Sequence, residues 1–347
     1  MSRSGSSALT RVISLHGATL PETLLEASNG NPRGHFEPQR LMELNNEILQ
    51  AHGATYWDPL AIPPGWFDGA EAGAFAERIA RIIVEEFGDA RLFVLKDPRL
   101  SRLAPLYLAA LRQLDIAPVA VIPLRHPAEA VASLVKRDGT DPHTAELLWL
   151  RDMLGCEYFT RGLARVWSPY EDLLTDWQRA IARIGAGLAL DWPRPSVAAA
   201  GEVDAFLSPA LRGFDARRAP PPVEPGPLAQ RLWQAAQAGE GPGLRAEFDA
   251  IGAIVAELDR LSVPHRAAAR QHRRELESEL RQLADPDQRE ADRRAELDAM
   301  RATVANLTEA LAITRASTSW RVTAPLRAAG RLVRQLAGAG PTDRPTG

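Results

Sequence analysis

The chain has 347 residues, with 41 Lys+Arg against 44 Asp+Glu, a net charge of -3, 45% hydrophobic residues and one cysteine. This is the composition of a globular chain, long enough for one large α/β domain with an appendage or for two small domains. It argues against a whole-chain nucleic-acid binder while leaving room for a local basic patch. Cys156 alone permits neither an intramolecular disulfide nor a cysteine metal cluster, so a reducing cytoplasm is the expected compartment. No apolar run approaches the ~20 residues of a membrane-spanning helix, and Met1-Ser-Arg-Ser-Gly-Ser6 lacks the apolar core of a secretion signal.

In chain order, residues 1–14 read as a Gly/Ser loop running into a helix (Leu9, Val12, Ile13), and 17–40 as a long Gly-, Pro- and Asn-rich loop. Phe75, Ile79, Ile82, Ile83 and Phe87 recur at helical spacing. Leu92-Phe-Val-Leu95 is a short apolar run before Lys96-Asp-Pro-Arg99, as expected of a buried strand and the turn after it. A helix through Leu103, Leu106, Leu111 and Leu114 leads to a second buried strand, Val119–Ile122, then to Leu124-Arg-His-Pro127 and a helix through Val131 and Leu134. A long helix at 143–161, a strand at Arg165–Trp167 and a helix from about 171 complete the pattern. Short apolar strands alternating with helices predict an α/β domain with a parallel sheet covered on both faces.

The character changes after about 215. Residues 220–227 carry five prolines in eight positions, the mark of a semi-rigid linker, placed here at 216–243. Beyond it, Leu244, Phe248, Ile251, Val255 and Leu258, then Leu276, Leu280 and Leu283, then Leu297, Met300, Val304, Leu307 and Leu311 step by threes and fours. These are coiled-coil seams over 244–315, broken at Pro264 and Pro286. A helical hairpin and an intermolecular coiled coil, hence a homo-oligomer, satisfy them equally. The tail 316–347, with Trp320, Arg321, Arg327, Arg331 and Arg334, reads either as a disordered segment or as a basic amphipathic one able to lie on an anionic membrane.

Two places carry chemistry. Arg3-Ser4-Gly5-Ser6-Ser7-Ala8 leads into a helix, so backbone N–H groups and the helix dipole converge on one spot and Arg3 adds a full charge: an anion cradle. It lacks the Gly-x-x-x-x-Gly-Lys-Ser/Thr pattern of the nucleoside triphosphate P-loop. Arg125 ends a predicted strand and Ser133 follows eight residues later in the next helix, at the sheet edge where α/β proteins bind nucleotides. Two anion sites on neighbouring loops imply a ligand with phosphates at both ends. Only Lys96 and Lys136 are lysines, all other basic positions being arginine, which points to Lys96, at a strand end, as a place where a compact ammonium matters. No His/Cys/Asp/Glu cluster has metal-ligand spacing.

As a set and in this order, these motifs resemble the sulfotransferases that use 3′-phosphoadenosine 5′-phosphosulfate (PAPS). The Arg3–Ser7 loop is similar to their 5′-phosphosulfate loop, and Arg125 with Ser133 to their 3′-phosphate motif. Gly30-Asn-Pro-Arg-Gly-His-Phe-Glu37, Leu95-Lys-Asp-Pro-Arg99, Leu134-Val-Lys-Arg-Asp-Gly139 and Tyr170-Glu-Asp-Leu-Leu174 resemble a bacterial branch of that family. The likeness covers residues 1–215. It implies a three-layer α/β/α catalytic domain, PAPS as co-substrate without a metal, and a hydroxyl-bearing acceptor rather than nucleic acid. In its terms Arg3 and the segment Ser4–Ala8 hold the 5′-phosphosulfate, Arg125 and Ser133 the 3′-phosphate, Lys96 the leaving phosphate oxygen, and Glu37 is the general base with His35 as rival. Asp97 and Arg99 orient Lys96 or meet the acceptor, and Trp57, Trp66 and Phe67 stack on a sugar or pack in the core. Ser317-Thr-Ser-Trp-Arg-Val-Thr-Ala-Pro-Leu-Arg327 resembles tails on bacterial glycosyltransferases of surface-glycan clusters, which makes a surface glycan one expected acceptor. An inactive sulfotransferase-like scaffold and an ATP-dependent P-loop kinase are the rival readings. There is one departure: the family's loop follows a buried strand, whereas here it opens at residue 2. An upstream start is the expected explanation, an impaired product the other, and an upstream-extended form is expected to bind adenosine 3′,5′-bisphosphate more tightly.

Overall fold

The computed structural model describes residues 3–27, 33–59, 62–207, 224–284, 286–317 and 320. The chain divides into two compact units, Met1–Val263 and Pro264–Gly347.

Helix α1 (Ser6–Leu15) starts at Gly5 and buries Leu9, Val12 and Ile13. Helix α2 (Gln39–Ala51) follows Pro38, and α3 (Ala70–Phe87) follows a 3₁₀ turn at Pro64–Asp68. The α3 stripe of Phe75, Ile79, Ile83 and Phe87 is buried with Leu103 and Leu106 of α4 (Leu100–Gln113), so the 3.6-residue period finds its partner one helix later. Strand β1 (Ala120–Leu124) pairs in parallel with β2 (Arg165–Pro169), in the register Ala120 to Arg165. The crossover that a parallel pair requires is made by α5 (Pro127–Asp138) and α6 (Pro142–Phe159). Ile122 and Leu124 pack with Trp149 and Met153 of α6, whereas Val121 packs with the cluster holding Val12, Ile181 and Ile184. Alternate β1 residues thus meet different clusters, the period-2 signature of a strand covered on both faces.

After β2, α7 (Tyr170–Thr175) and α8 (Trp177–Leu188) are separated at Asp176, whose side chain caps α8 by accepting from Arg179 N–H. Helix α9 (Ser196–Phe206) follows.

Three findings differ from the sequence expectations. Among the described residues the run Leu92–Leu95 makes one parallel bridge, Phe93 to Thr19, in place of a full strand ladder. Helix α10 (Pro227–Ala238) lies within the segment expected as linker, because Ala229, Leu232 and Ala236 have an apolar seat beside Ile122, Trp149 and Trp167. Leu244, Phe248, Ile251 and Val255 of α11 (Pro242–Ala284) join that cluster, so the first unit extends past 215. Helix α11 also continues through Pro264, where a break was expected. Helix α12 (Pro286–Ala316) does begin at a proline, where the missing N–H costs nothing. No helix among the described residues is long and apolar enough to cross a membrane. The tail expected to be either disordered or basic and amphipathic lies, at 318–319 and from 321 onward, outside the described residues.

Candidate active site

The loop before α1 is shaped by two residues in the left-handed region, Arg3 (φ 56°) and Gly5 (φ 81°). Glycine is required at position 5: a Cβ there would stand 2.1 Å from Cδ2 of Tyr170. Ser4 between them is fully buried, and α1 begins with no side-chain cap, leaving its first turn to face a cleft of about 840 Å³. Arg3, Gly5, Ser6, Ser7 and Ala8 line that cleft.

Arg125, one residue past β1, reaches the same loop: its Nη1 donates to the Arg3 carbonyl at 2.9 Å. Its Nε pairs with Glu129 Oε2 at 3.0 Å, one turn along in α5, and its guanidinium lies 5.1 Å from the Tyr170 ring centroid. The Arg3 Nε donates to Ser133 Oγ at 2.7 Å, so Ser133 meets the site through Arg3 and is not itself part of the cleft wall. Burial, followed by the Arg137 and Arg125 guanidiniums, lowers the pKa of Arg3. Such mutual repulsion costs least when an anion sits among the three cations.

Lys96, after the 92–95 run, is 8% exposed and holds two other segments. Its Nζ donates to Ser7 Oγ at 3.2 Å and to the His35 carbonyl at 3.3 Å, and it is ion-paired with Glu37. The Glu37 side chain is aimed inward by a turn with positive φ at Gly34 (97°) and Phe36 (53°), and Leu25 N–H pins the Glu37 carbonyl at 2.8 Å. Arg99 Nη1 stands 3.9 Å from Glu37 and 2.9 Å from Asp97, whose other oxygen accepts from Asn45 Nδ2 at 3.0 Å; Asn45 in turn accepts from the Tyr107 hydroxyl at 2.9 Å. Asp97 therefore anchors Arg99 rather than facing the cleft, from whose wall it is absent.

Burial lowers the pKa of His35 against the raising effect of Glu37, so its imidazole is neutral at neutral pH. His126 caps α5 by accepting from Ala128 N–H at 3.2 Å and meets Trp233 edge-on. His16 donates Nδ1–H to the Val12 carbonyl at 2.8 Å and is wholly buried. Both are structural.

The remaining wall holds Tyr56 and Trp57, with Arg99 over the former ring at 4.5 Å and Arg137 over the latter at 5.5 Å, together with Asn46, Gln50 and Asp138. Of the aromatics expected to stack on a sugar, only Trp57 reaches the cleft. Trp66 and Phe67 pack against the cluster of Ile79, Ile83 and Leu103, with Trp66 against His52 and Phe75. Tyr56, Asn46, Gln50 and Tyr170 were not singled out from the sequence; for Tyr170 and Arg137 the signal was their place in quoted motifs. Five cations (Arg3, Lys96, Arg99, Arg125, Arg137) line the wall with Glu37 and Asp138, and Asp97 and Glu129 pair with Arg99 and Arg125 behind it. No group of three or more metal-ligating side chains is found among the described residues.

Among solved structures, the chain is similar to the sulfotransferase domain of the olefin synthase of Synechococcus PCC 7002, at 18% identity and a TM-score of 0.43, over 70% of this chain and 93% of that domain. No family model matches the chain, and no curated protein matches it.

Proposed function

We propose that the chain is a sulfotransferase that moves a sulfuryl group from PAPS to a hydroxyl acceptor, on a three-layer α/β/α domain. The observation that carries this reading is the meeting of two separate anion-binding motifs on one cleft: Arg125 is bonded to the Arg3 carbonyl, and Lys96 to Ser7. A cleft of about 840 Å³ is within the range of nucleotide-sized sites, and its cationic wall suits a ligand with phosphate at both ends.

In this reading Arg3 and the first-turn amides of α1 hold the 5′-phosphosulfate, while Arg125 and Ser133 hold the 3′-phosphate. Ser133 exchanges its bond to Arg3 for one to the ligand. PAPS supplies an activated sulfuryl group. Lys96 neutralises the phosphate oxygen that keeps the electron pair as its bond to sulfur breaks, a role that counts most in the transition state. To do so its ammonium must turn from Glu37 toward the ligand, which releases the carboxylate to take the acceptor hydroxyl's proton as the new O–S bond forms. His35 is the rival base; its neutrality permits that role, while its backbone carbonyl serves Lys96. Arg99, Arg137, Tyr56 and Trp57 with Asn46 and Gln50 form the wall left for the acceptor, and rings beside the two amides suit a sugar hydroxyl.

A thermal-shift comparison tests the reading: adenosine 3′,5′-bisphosphate is expected to raise the melting temperature and ATP with magnesium to leave it nearly unchanged. A shift with ATP and magnesium alone contradicts it and favours a kinase.

A further inference from the structure

Helix α10, in the segment expected to be a linker, is built into the first unit behind Arg125. Ala229, Leu232, Trp233 and Ala236 stand at i, i+3, i+4 and i+7, on one face of the helix, and pack with the cluster that holds Ile122, Leu124 and Ala130. Both ends of α10 are tied down. Gly226 N–H, just before it, donates to both carboxylate oxygens of Glu146 in α6, at 3.0 and 3.2 Å; a Cβ at position 226 would stand 2.6 Å from that carboxylate. Glu240, just after it, accepts from the Trp167 indole N–H at 2.8 Å and pairs with Arg165 at 2.7 Å, both on β2.

Half-buried Trp233 reaches the start of α5, where it meets the His126 ring edge-on, with centroids 5.2 Å apart. His126 organises the first turn of α5 twice over. Its Nδ1 accepts from Ala128 N–H at 3.2 Å, and its carbonyl accepts from the N–H groups of Glu129 and Ala130 at 3.0 and 3.1 Å. Glu129, itself buried, is the carboxylate that holds Arg125 Nε at 3.0 Å. A line of contacts therefore runs from α10 through Trp233, His126 and Glu129 to Arg125. Neither Trp233 nor His126 lines the cleft. The χ2 torsion of a histidine is soft, so a capping imidazole keeps its orientation only where a neighbour limits the ring.

We propose that Trp233 is a positioning residue for Arg125, and that α10 is a buttress of the anion site rather than a tether between domains. Trp233 fixes the His126 ring, the ring fixes the cap, and the capped turn carries the carboxylate that aims Arg125. The effect on binding rests on the reading of Arg125 as the 3′-phosphate ligand; the support that α10 gives to α5 does not.

Calorimetry on the full chain, with adenosine 3′,5′-bisphosphate and adenosine 5′-monophosphate as probes, reads the role. Trp233→Ala is expected to weaken the bisphosphate ~5- to 10-fold, the worth of an edge-on ring contact, and to leave the monophosphate within about twofold. Trp233→Phe keeps a ring and should restore the wild-type preference. His126→Asn keeps a capping side chain but removes the ring. It should match Trp233→Ala, and the double variant should add nothing to either. Equal losses for both nucleotides overturn the proposal, since Trp233 would then be general packing. Additive losses in the double variant overturn it too, by removing the route through His126. Amide hydrogen exchange separates the buttress from the nucleotide reading. Without any nucleotide, the Ala128 N–H should exchange faster in Trp233→Ala than in the wild type or Trp233→Phe, and unchanged exchange there overturns the buttress. A wild-type chain that binds both nucleotides equally, with Ala128 still loosened by Trp233→Ala, would sink the 3′-phosphate reading and leave the support of α5 standing.

Discussion

Arg125 and Lys96 line the same cleft but take their ion-pair partners from different places, one from the next helix turn and one from a distant segment. Arg125 is fixed by Glu129 of the helix that follows it, by the Arg3 carbonyl and by the ring of Tyr170. Lys96 is gripped by groups from distant segments, Ser7, His35 and Glu37, the last an ion pair across the cleft wall. The first arrangement is a preorganised anchor. The second is a latch, because each partner of the Lys96–Glu37 pair occupies the other until an anion competes. In the proposed reaction binding would rest on Arg125 and turnover on Lys96 and Glu37, so the two sides should separate in mutant kinetics.

The largest effect is expected at the latch. Glu37→Gln should lower kcat by ~10²–10⁴-fold, the range for loss of a general base, and leave the affinity for adenosine 3′,5′-bisphosphate unchanged or tighter, because Lys96 is released. An unchanged kcat would remove Glu37 from the chemistry. Lys96→Met should cost ~10²–10³-fold in kcat, comparable to loss of one transition-state donor, read in single-turnover assays against the melting temperature. Leaving Glu37 buried with a weaker partner also costs stability.

At the anchor, Arg125→Gln should weaken adenosine 3′,5′-bisphosphate binding by ~100-fold, about 3 kcal/mol, by loss of a charge-assisted contact. The kcat at saturating PAPS should move much less. A scaffold protein would be indifferent to all three changes in its partner binding.

The residues of both sides were legible in the sequence because they sit at strand ends and in short motifs, and strand ends need only local patterning to locate. What joins them was not. The contact of Tyr56 with Arg99, and the chain Asp97–Asn45–Tyr107, depend on α2, whose stripe of Leu41, Leu44, Ile48 and Leu49 was present but follows a Pro- and Gly-rich run that reads as loop. Trp66 and Trp57 look alike in a Pro-rich segment; only packing sends one to the core and the other to the cleft. The same limit applies to α12. Its Leu297, Val304 and Leu307 repeat as regularly as the buried residues of α3 yet are 51%, 63% and 65% exposed, since periodicity specifies a face and not its partner.

The smallest expected effect concerns pH. His35, His52 and His126 all have pKa values lowered by burial from 6.5, so the unfolded chain binds more protons than the folded one just below that value. Stability should be level above about pH 6.5 and fall as the pH drops from there toward the folded-state pKa values. Urea midpoints between pH 7.5 and 5.5 check this, and His126→Asn should flatten the slope. A His35→Asn variant should retain kcat within about tenfold, the outcome that separates it from Glu37 as base.

The central claim is a cleft built for two anionic groups, and calorimetry tests it most directly. Adenosine 3′,5′-bisphosphate is expected to bind at least ~10-fold more tightly than adenosine 5′-monophosphate, which lacks the 3′-phosphate, and Arg125→Gln is expected to abolish that difference. Equal affinities for the two nucleotides, or a preference that survives the loss of Arg125, would contradict the account.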